Sequence, residues 1–67
     1  MNPTIIQTLA RTEAAGKATI AVLIEMENHG INVVKELGMS TGSVMRQADR
    51  GDITHRRFME AVNKAIN

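Results

Sequence analysis

The sequence predicts an all-α fold, a small bundle of four or five short helices making one domain over residues 1–67. Two observations predict it. Apolar residues recur at helical spacing in successive segments, and no stretch sustains the alternation of a half-buried strand. Glycine then divides the chain at Gly16, Gly30, Gly38 and Gly51, where a helix can end in left-handed geometry.

Asn2-Pro3 offers a cap followed by a first-turn proline, a common helix start. Ile5, Ile6 and Leu9 then fall on one face, and the pattern fades toward Gly16. Whether Gly16 breaks or bends one long helix stays open, because an interior glycine costs only about 1 kcal/mol relative to alanine. Ile20, Leu23 and Ile24 mark a second helix that His29-Gly30 ends. Ile31, Val34 and Leu37 stack along one side of a short third helix stopped by Gly38. Ser40 caps the next, with Val44, Met45 and Ala48 turned inward and Gly51 closing it. Thr54 caps the last, where Phe58, Ala61, Val62, Ala65 and Ile66 form the clearest amphipathic stripe in the chain.

Size and composition bound the function. The 67 residues carry a net charge of +1, no cysteine, tryptophan or tyrosine, and one phenylalanine. A chain this short hides only about 60% of the surface it exposes unfolded, so its core is marginal. Without cysteine there is no disulfide and none of the usual cysteine-based zinc frameworks. Extra stability, if needed, must come from a partner chain or neighbouring domains. The longest apolar run, Thr19 to Ile24, is less than half of the roughly 20 residues a spanning helix needs. Met1-Asn2-Pro3-Thr4 has no basic region leading into an apolar stretch, so no signal peptide and no membrane partner are expected. A cytoplasmic location follows as an expectation. Residues 34–67 hold six basic residues (Lys35, Arg46, Arg50, Arg56, Arg57, Lys64) against Glu36, Asp49, Asp52 and Glu60. That surplus is too small to imply nucleic acid by itself.

Catalytic and ligand chemistry finds little support. His29 and His55 lack a second histidine, or a carboxylate four residues away, to make a ligand pair on one helical face, so structural placement is the plainer reading. Glu25 and Glu27, two residues apart, point in different directions on a helix. The Gly16-Lys17 pair lacks the upstream glycine and strand of a phosphate loop. No hydroxyl is placed with histidine and carboxylate as an activated nucleophile, and the chain has little room for a substrate pocket of several hundred Å3. Met26, Met39, Met45 and Met59 could serve an adaptable binding surface, although core filling is the plainer account. The expectation is a non-enzymatic interaction domain without cofactor, metal or small-molecule substrate.

The strongest local signal runs from Ile31 to Ala48, within a corner spanning residues 31–50 that has the outline of a helix-turn-helix. Leu37 before the turn glycine and Val44 after it match the apolar positions that lock two such helices. On that reading Thr41, Gly42, Ser43, Arg46, Gln47 and Arg50 face the major groove, with Arg46 or Gln47 reading base edges. Val34 stands where the motif usually has a small residue, and Gln47 where it has an apolar one. The same outline serves any two helices packed across a tight turn.

Read further, Asn28 to Met45, then Ala48-Asp-Arg-Gly-Asp-Ile-Thr54, then Phe58 and Ala61 resemble a domain of phage tail tape-measure proteins. That family often shows Gly-Ile before a helix, a Leu-Gly turn followed by Ser or Thr, and an apolar residue shortly after. Gly-x-Ile-Thr then opens a further amphipathic helix. The resemblance covers about residues 20–66 and accounts for Gly51, Ile53 and Thr54, which the helix-turn-helix outline leaves unused. It implies a structural role in tail assembly, a place in the virion tail, and partners that are tail components or further copies of the chain. It carries over no catalytic residues. Family members run to many hundreds of residues, so the resemblance implies an excised domain, a processed fragment or a small stand-alone relative. The alternative is a small helix-turn-helix regulator, and only under it is nucleic acid a partner.

Overall fold

The computed structural model describes residues 2–67, and these form five α-helices and no strand. They are α1 (Pro3–Ala15), α2 (Ile20–Asn28), α3 (Val33–Glu36), α4 (Thr41–Asp49) and α5 (His55–Ile66). The radius of gyration is 10.5 Å, against about 11 Å for a folded chain of this length. The short helices are therefore fully collapsed on one another.

Each helix begins on a polar side chain that takes up an orphan backbone N–H. Asn2 accepts from Thr4, Thr19 from Val22, Asn32 from Lys35, Ser40 from Ser43 and Thr54 from Arg57. Such caps are worth about 1 kcal/mol each, a large share of the stability of so small a domain. Gly16 has φ of 72° and its N–H donates to the Glu13 carbonyl, so it breaks the chain into two helices. Gly30, Gly38 and Gly51 share that left-handed geometry after α2, α3 and α4.

The core is built around Phe58, which is fully buried with Leu23, Met26, Ile53, Val33, Val44 and Val62. Helix α5 supplies Phe58, Ala61 and Val62 and packs against α3 and α1, while α2 packs against α1, α3 and α4. Three buried residues lie outside any helix, Ala18, Ile31 and Ile53. Ala18 and Ile53 are both wholly enclosed, and the Ala18 N–H donates to the Ile53 carbonyl at 2.8 Å. The His55 N–H donates to the Gly16 carbonyl at 3.0 Å, and Lys17 and Thr54 form an isolated antiparallel bridge. The α1–α2 turn and the α4–α5 turn are thus tied backbone to backbone.

Several inward residues differ from those the sequence pattern predicts. On α1 the buried face is Ile5, Thr8 and Thr12, and Ile6 is 53% exposed. The threonines can replace isoleucine because each hydroxyl donates to the carbonyl four residues earlier, Thr8 to Thr4 and Thr12 to Thr8. A hydroxyl satisfied within its own helix leaves a small, nearly apolar surface to bury. On α2 Val22, Leu23 and Met26 face inward and Ile24 is 46% exposed. Ile31, Val34 and Leu37 do not share a helical stripe, because α3 is a single turn that starts only after Asn32. Val33 is the buried residue there, and Val34 and Leu37 are half-buried. Met45 is half-buried beside Val44 and Ala48, and Ile66 is exposed at the end of the α5 stripe. Met26 is the one fully buried methionine among the described residues; Met39, Met45 and Met59 pack against the core from its edge.

Phe58→Ala is expected to cost about 3–5 kcal/mol, enough to leave the domain largely unfolded when followed by circular dichroism during thermal melting. A melting temperature equal to wild type would remove Phe58 from the centre of the core. Gly38 has φ of 71° with open space where a Cβ would stand, so its substitution costs backbone strain and not a clash. Gly38→Val should therefore lower stability by at least about 1–2 kcal/mol in denaturant titration. Lys35→Ala, at an exposed position of α3, should change it little.

Candidate functional site

Helix α4 carries the residues singled out for nucleic-acid contact, and the fold sorts them into two groups. Thr41, Gly42, Arg46 and Arg50 are exposed. Ser43 and Gln47 are half-buried and already engaged. The Ser43 hydroxyl accepts from the Ser40 hydroxyl at 3.0 Å and from the Arg46 guanidinium at 3.3 Å, so Arg46 lies back along its own helix. Arg50 pairs with Asp52 at 3.0 Å. Gln47 is turned inward: its Oε1 accepts from Arg57 Nη1 at 2.9 Å and its Nε2 donates to the Met39 sulfur at 3.3 Å. Arg57 Nη2 reaches the same sulfur at 3.7 Å.

This Met39–Gln47–Arg57 cluster ties the α3–α4 turn to α4 and α5. It explains how the corner tolerates glutamine where a helix-turn-helix has an apolar residue. The amide of Gln47 is satisfied by two partners and so can sit at a packed position. Both ends of the Gln47 amide are thus engaged within the fold. The pattern of apolar residues carried no signal for the cluster, because its members come from three separate elements.

Two further ion pairs lie on the remaining surface. Arg56 meets Glu60 one turn later on α5, and Arg11 on α1 meets Glu25 on α2. The Arg11 guanidinium, followed by the Thr8 hydroxyl, holds the Glu25 carboxyl below its ordinary value. Glu27 is exposed and separate from this pair, in keeping with its two-residue offset. His29 is the exposed C-cap of α2. His55 is the first residue of α5 and is half-buried, and its Nδ1 is enclosed without a hydrogen-bond partner. The two histidines thus lie on different elements. Among the described residues no group of three histidine, aspartate or glutamate side chains is placed to hold a metal ion.

Three open surface depressions have volumes of about 180, 150 and 260 Å3, below the roughly 300–1,000 Å3 of pockets that enclose small ligands. The largest lies between α2 and α4 and is bordered by Lys17, Thr19, Ile20, Ala21, Ala48 and Asp49. No helix among the described residues is long and apolar enough to cross a membrane. What the surface does offer is apolar area, since Ile6, Ile24 and Ile66 are each about half exposed. Comparison of the chain with protein-family models, curated proteins and solved structures finds no match.

The Arg11–Glu25 pair has a pH signature. Because the Glu25 pKa is depressed in the folded state, its stabilising contribution is present above the ordinary carboxylate range. That contribution is lost as pH falls through the folded pKa. Glu25→Gln should therefore lower the melting temperature at neutral pH, and the gap from wild type should close in acid. A gap that stays constant across that range would show that the carboxylate charge contributes nothing.

Proposed function

We propose that this chain is a non-enzymatic helical interaction domain of the phage tail tape-measure type, which acts structurally in tail assembly by packing against other tail chains. The observation that carries the reading is the role of the segment matching Gly-x-Ile-Thr. Gly51 ends α4 with φ of 75°, Ile53 is wholly buried and receives the Ala18 N–H, and Thr54 caps α5. These residues belong to the resemblance and have no use in a helix-turn-helix outline, yet they hold the α4–α5 turn onto the rest of the fold. The exposed isoleucines leave apolar area outside the core for a partner helix to cover. On this reading the chain works in the virion tail, or in the host cytoplasm during assembly.

The second reading is a small helix-turn-helix regulator, favoured by the exposure of Thr41, Arg46 and Arg50 along α4. Against it stand the engagement of Gln47 by Met39 and Arg57 and the pairing of Arg50 with Asp52. Among the described residues, Arg46 is the one α4 cation without a carboxylate partner. In the corner Lys35 on α3 has none either, and two such cations give weak phosphate neutralisation, since affinity for DNA rises with the number of phosphates contacted.

A titration of labelled duplexes, including the DNA flanking its own gene, at two salt concentrations separates the readings. The expected outcome is no sequence-selective binding at physiological salt, and any low-salt binding lost without regard to sequence. Tight, selective binding abolished by Arg46→Ala in a folded protein would replace the tail reading with the regulator. Flanking tail genes, and the chain's presence in purified tails by mass spectrometry, are expected if the first reading is right.

A further inference from the structure

A thioether sulfur is a weak hydrogen-bond acceptor, yet two nitrogen donors converge on the sulfur of Met39. Gln47 Nε2 stands 3.3 Å from it and Arg57 Nη2 3.7 Å. The donors come from α4 and α5, and the sulfur belongs to the turn between α3 and α4. Arg57 Nη1 also donates to Gln47 Oε1 at 2.9 Å, so the two donors are fixed against each other. Arg57 forms no ion pair among the described residues. A cationic N–H is thus directed at an acceptor too weak to match it. An oxygen at this place would accept from both donors, and charge-assisted bonds to oxygen are roughly twice as strong as neutral ones. Among the described residues, Met39 is the one methionine whose sulfur accepts a hydrogen bond. It is also within reach of solvent. Met39 is half-buried and borders the open depression of about 180 Å3 beside Val34, Lys35 and Thr41, whereas Met26 is wholly enclosed.

We propose that Met39 is a site of reversible oxidation by hydrogen peroxide, and that Gln47 and Arg57 hold the resulting sulfoxide. A sulfur lone pair attacks one peroxide oxygen, and the O–O bond breaks as the S–O bond forms. The departing hydroxide takes the proton of the transferred oxygen and leaves as water. Sulfur loses two electrons and the peroxide gains them. The product carries a strong acceptor on the atom where both donors already meet. Methionine oxidation ordinarily disrupts packing, because it turns an apolar side chain polar. Here the polar product is matched, so oxidation ties the α3–α4 turn to α4 and α5 more firmly than the thioether does. A sulfoxide reductase restores the starting state. The inference stands on the geometry of this cluster and is independent of whether the chain serves a tail or binds DNA.

The test treats the whole chain with limiting hydrogen peroxide and locates the oxidised residues by peptide mass spectrometry. The species oxidised at Met39 alone is then isolated and melted under circular dichroism. Met39 should oxidise well ahead of Met26. The isolated species should melt about 4–8 °C above untreated protein, the shift that one strengthened hydrogen bond produces in a domain of this size. Met39→Leu keeps the bulk but offers no acceptor, and the same treatment should give it no such rise. Met39→Gln sets a carbonyl oxygen one bond beyond the position of the sulfur, as the sulfoxide does, and should melt above Met39→Leu without any oxidant. In Arg57→Gln the rise on oxidation should disappear. If that variant does not fold, the comparison of Met39→Gln with Met39→Leu still decides. A Met39 that stays reduced while Met45 and Met59 oxidise overturns the proposal, since the donors then shield the sulfur. A melting temperature that falls or stays level once Met39 carries its oxygen overturns it too, and a rise that persists in Arg57→Gln removes Arg57 as the group that holds the sulfoxide.

Discussion

Two turns that are far apart in sequence share their backbone hydrogen bonds, and the arrangement of the helices depends on that sharing. Ala18 donates to Ile53 and His55 donates to Gly16, which closes the α1–α2 turn onto the α4–α5 turn. Neither turn could be buried alone, because a loop with unpaired backbone groups must stay in water. Joined, they satisfy one another, and Ala18 and Ile53 can lie completely inside. This fixes where α5 starts relative to the end of α1, and with it the direction in which the Phe58 stripe meets the other helices.

The rest of the core follows from how little material is available. A chain of 67 residues with one aromatic side chain must bury almost every apolar group it can align, and here it buries threonines as well. Thr8 and Thr12 are admitted because their hydroxyls bond back along α1. Capping does proportionately more than in a large domain. Helices of four to thirteen residues are marginal by themselves, and an Asn, Ser or Thr at the head of each one relieves the loss of backbone partners. The same shortage of core leaves Ile6, Ile24 and Ile66 outside, and that apolar surface underlies the interaction-domain reading.

The surface of α4 shows how packing across the fold holds a familiar outline in place. A short helix, a glycine turn and a second helix are present in the order a DNA-binding corner has them. Yet α3 is one turn long and rests mainly on α5, and Gln47 is turned toward Met39 and Arg57. Arg50 and Asp52 neutralise each other at the end of the helix. The corner is held by contacts that reach across the fold to α5, and much of its polar inventory is used in those contacts.

By itself the sequence determined the helical class, the caps at Asn2, Ser40 and Thr54, the stops at Gly30, Gly38 and Gly51, and the burial of Phe58, Ala61 and Val62 on α5. Those features depend on residues near one another in the chain: a cap and its N–H, a glycine and its φ, a period of apolar positions. Ser40, Thr54, Gly38, Gly51 and Phe58 were all legible for that reason. Tertiary structure decided which of two adjacent apolar residues faces inward, as with Ile5 over Ile6, Leu23 over Ile24 and Val33 over Val34. Neighbouring positions on a helix differ by only about 100°, and only the placement of the other helices selects between them. It also decided the fate of the polar groups. Gln47 reads as a base contact until Arg57 is found beside it, and Ala18 and Ile53 read as ordinary turn residues until their backbones meet. Such pairings join residues that the chain itself keeps far apart, so no local pattern announces them.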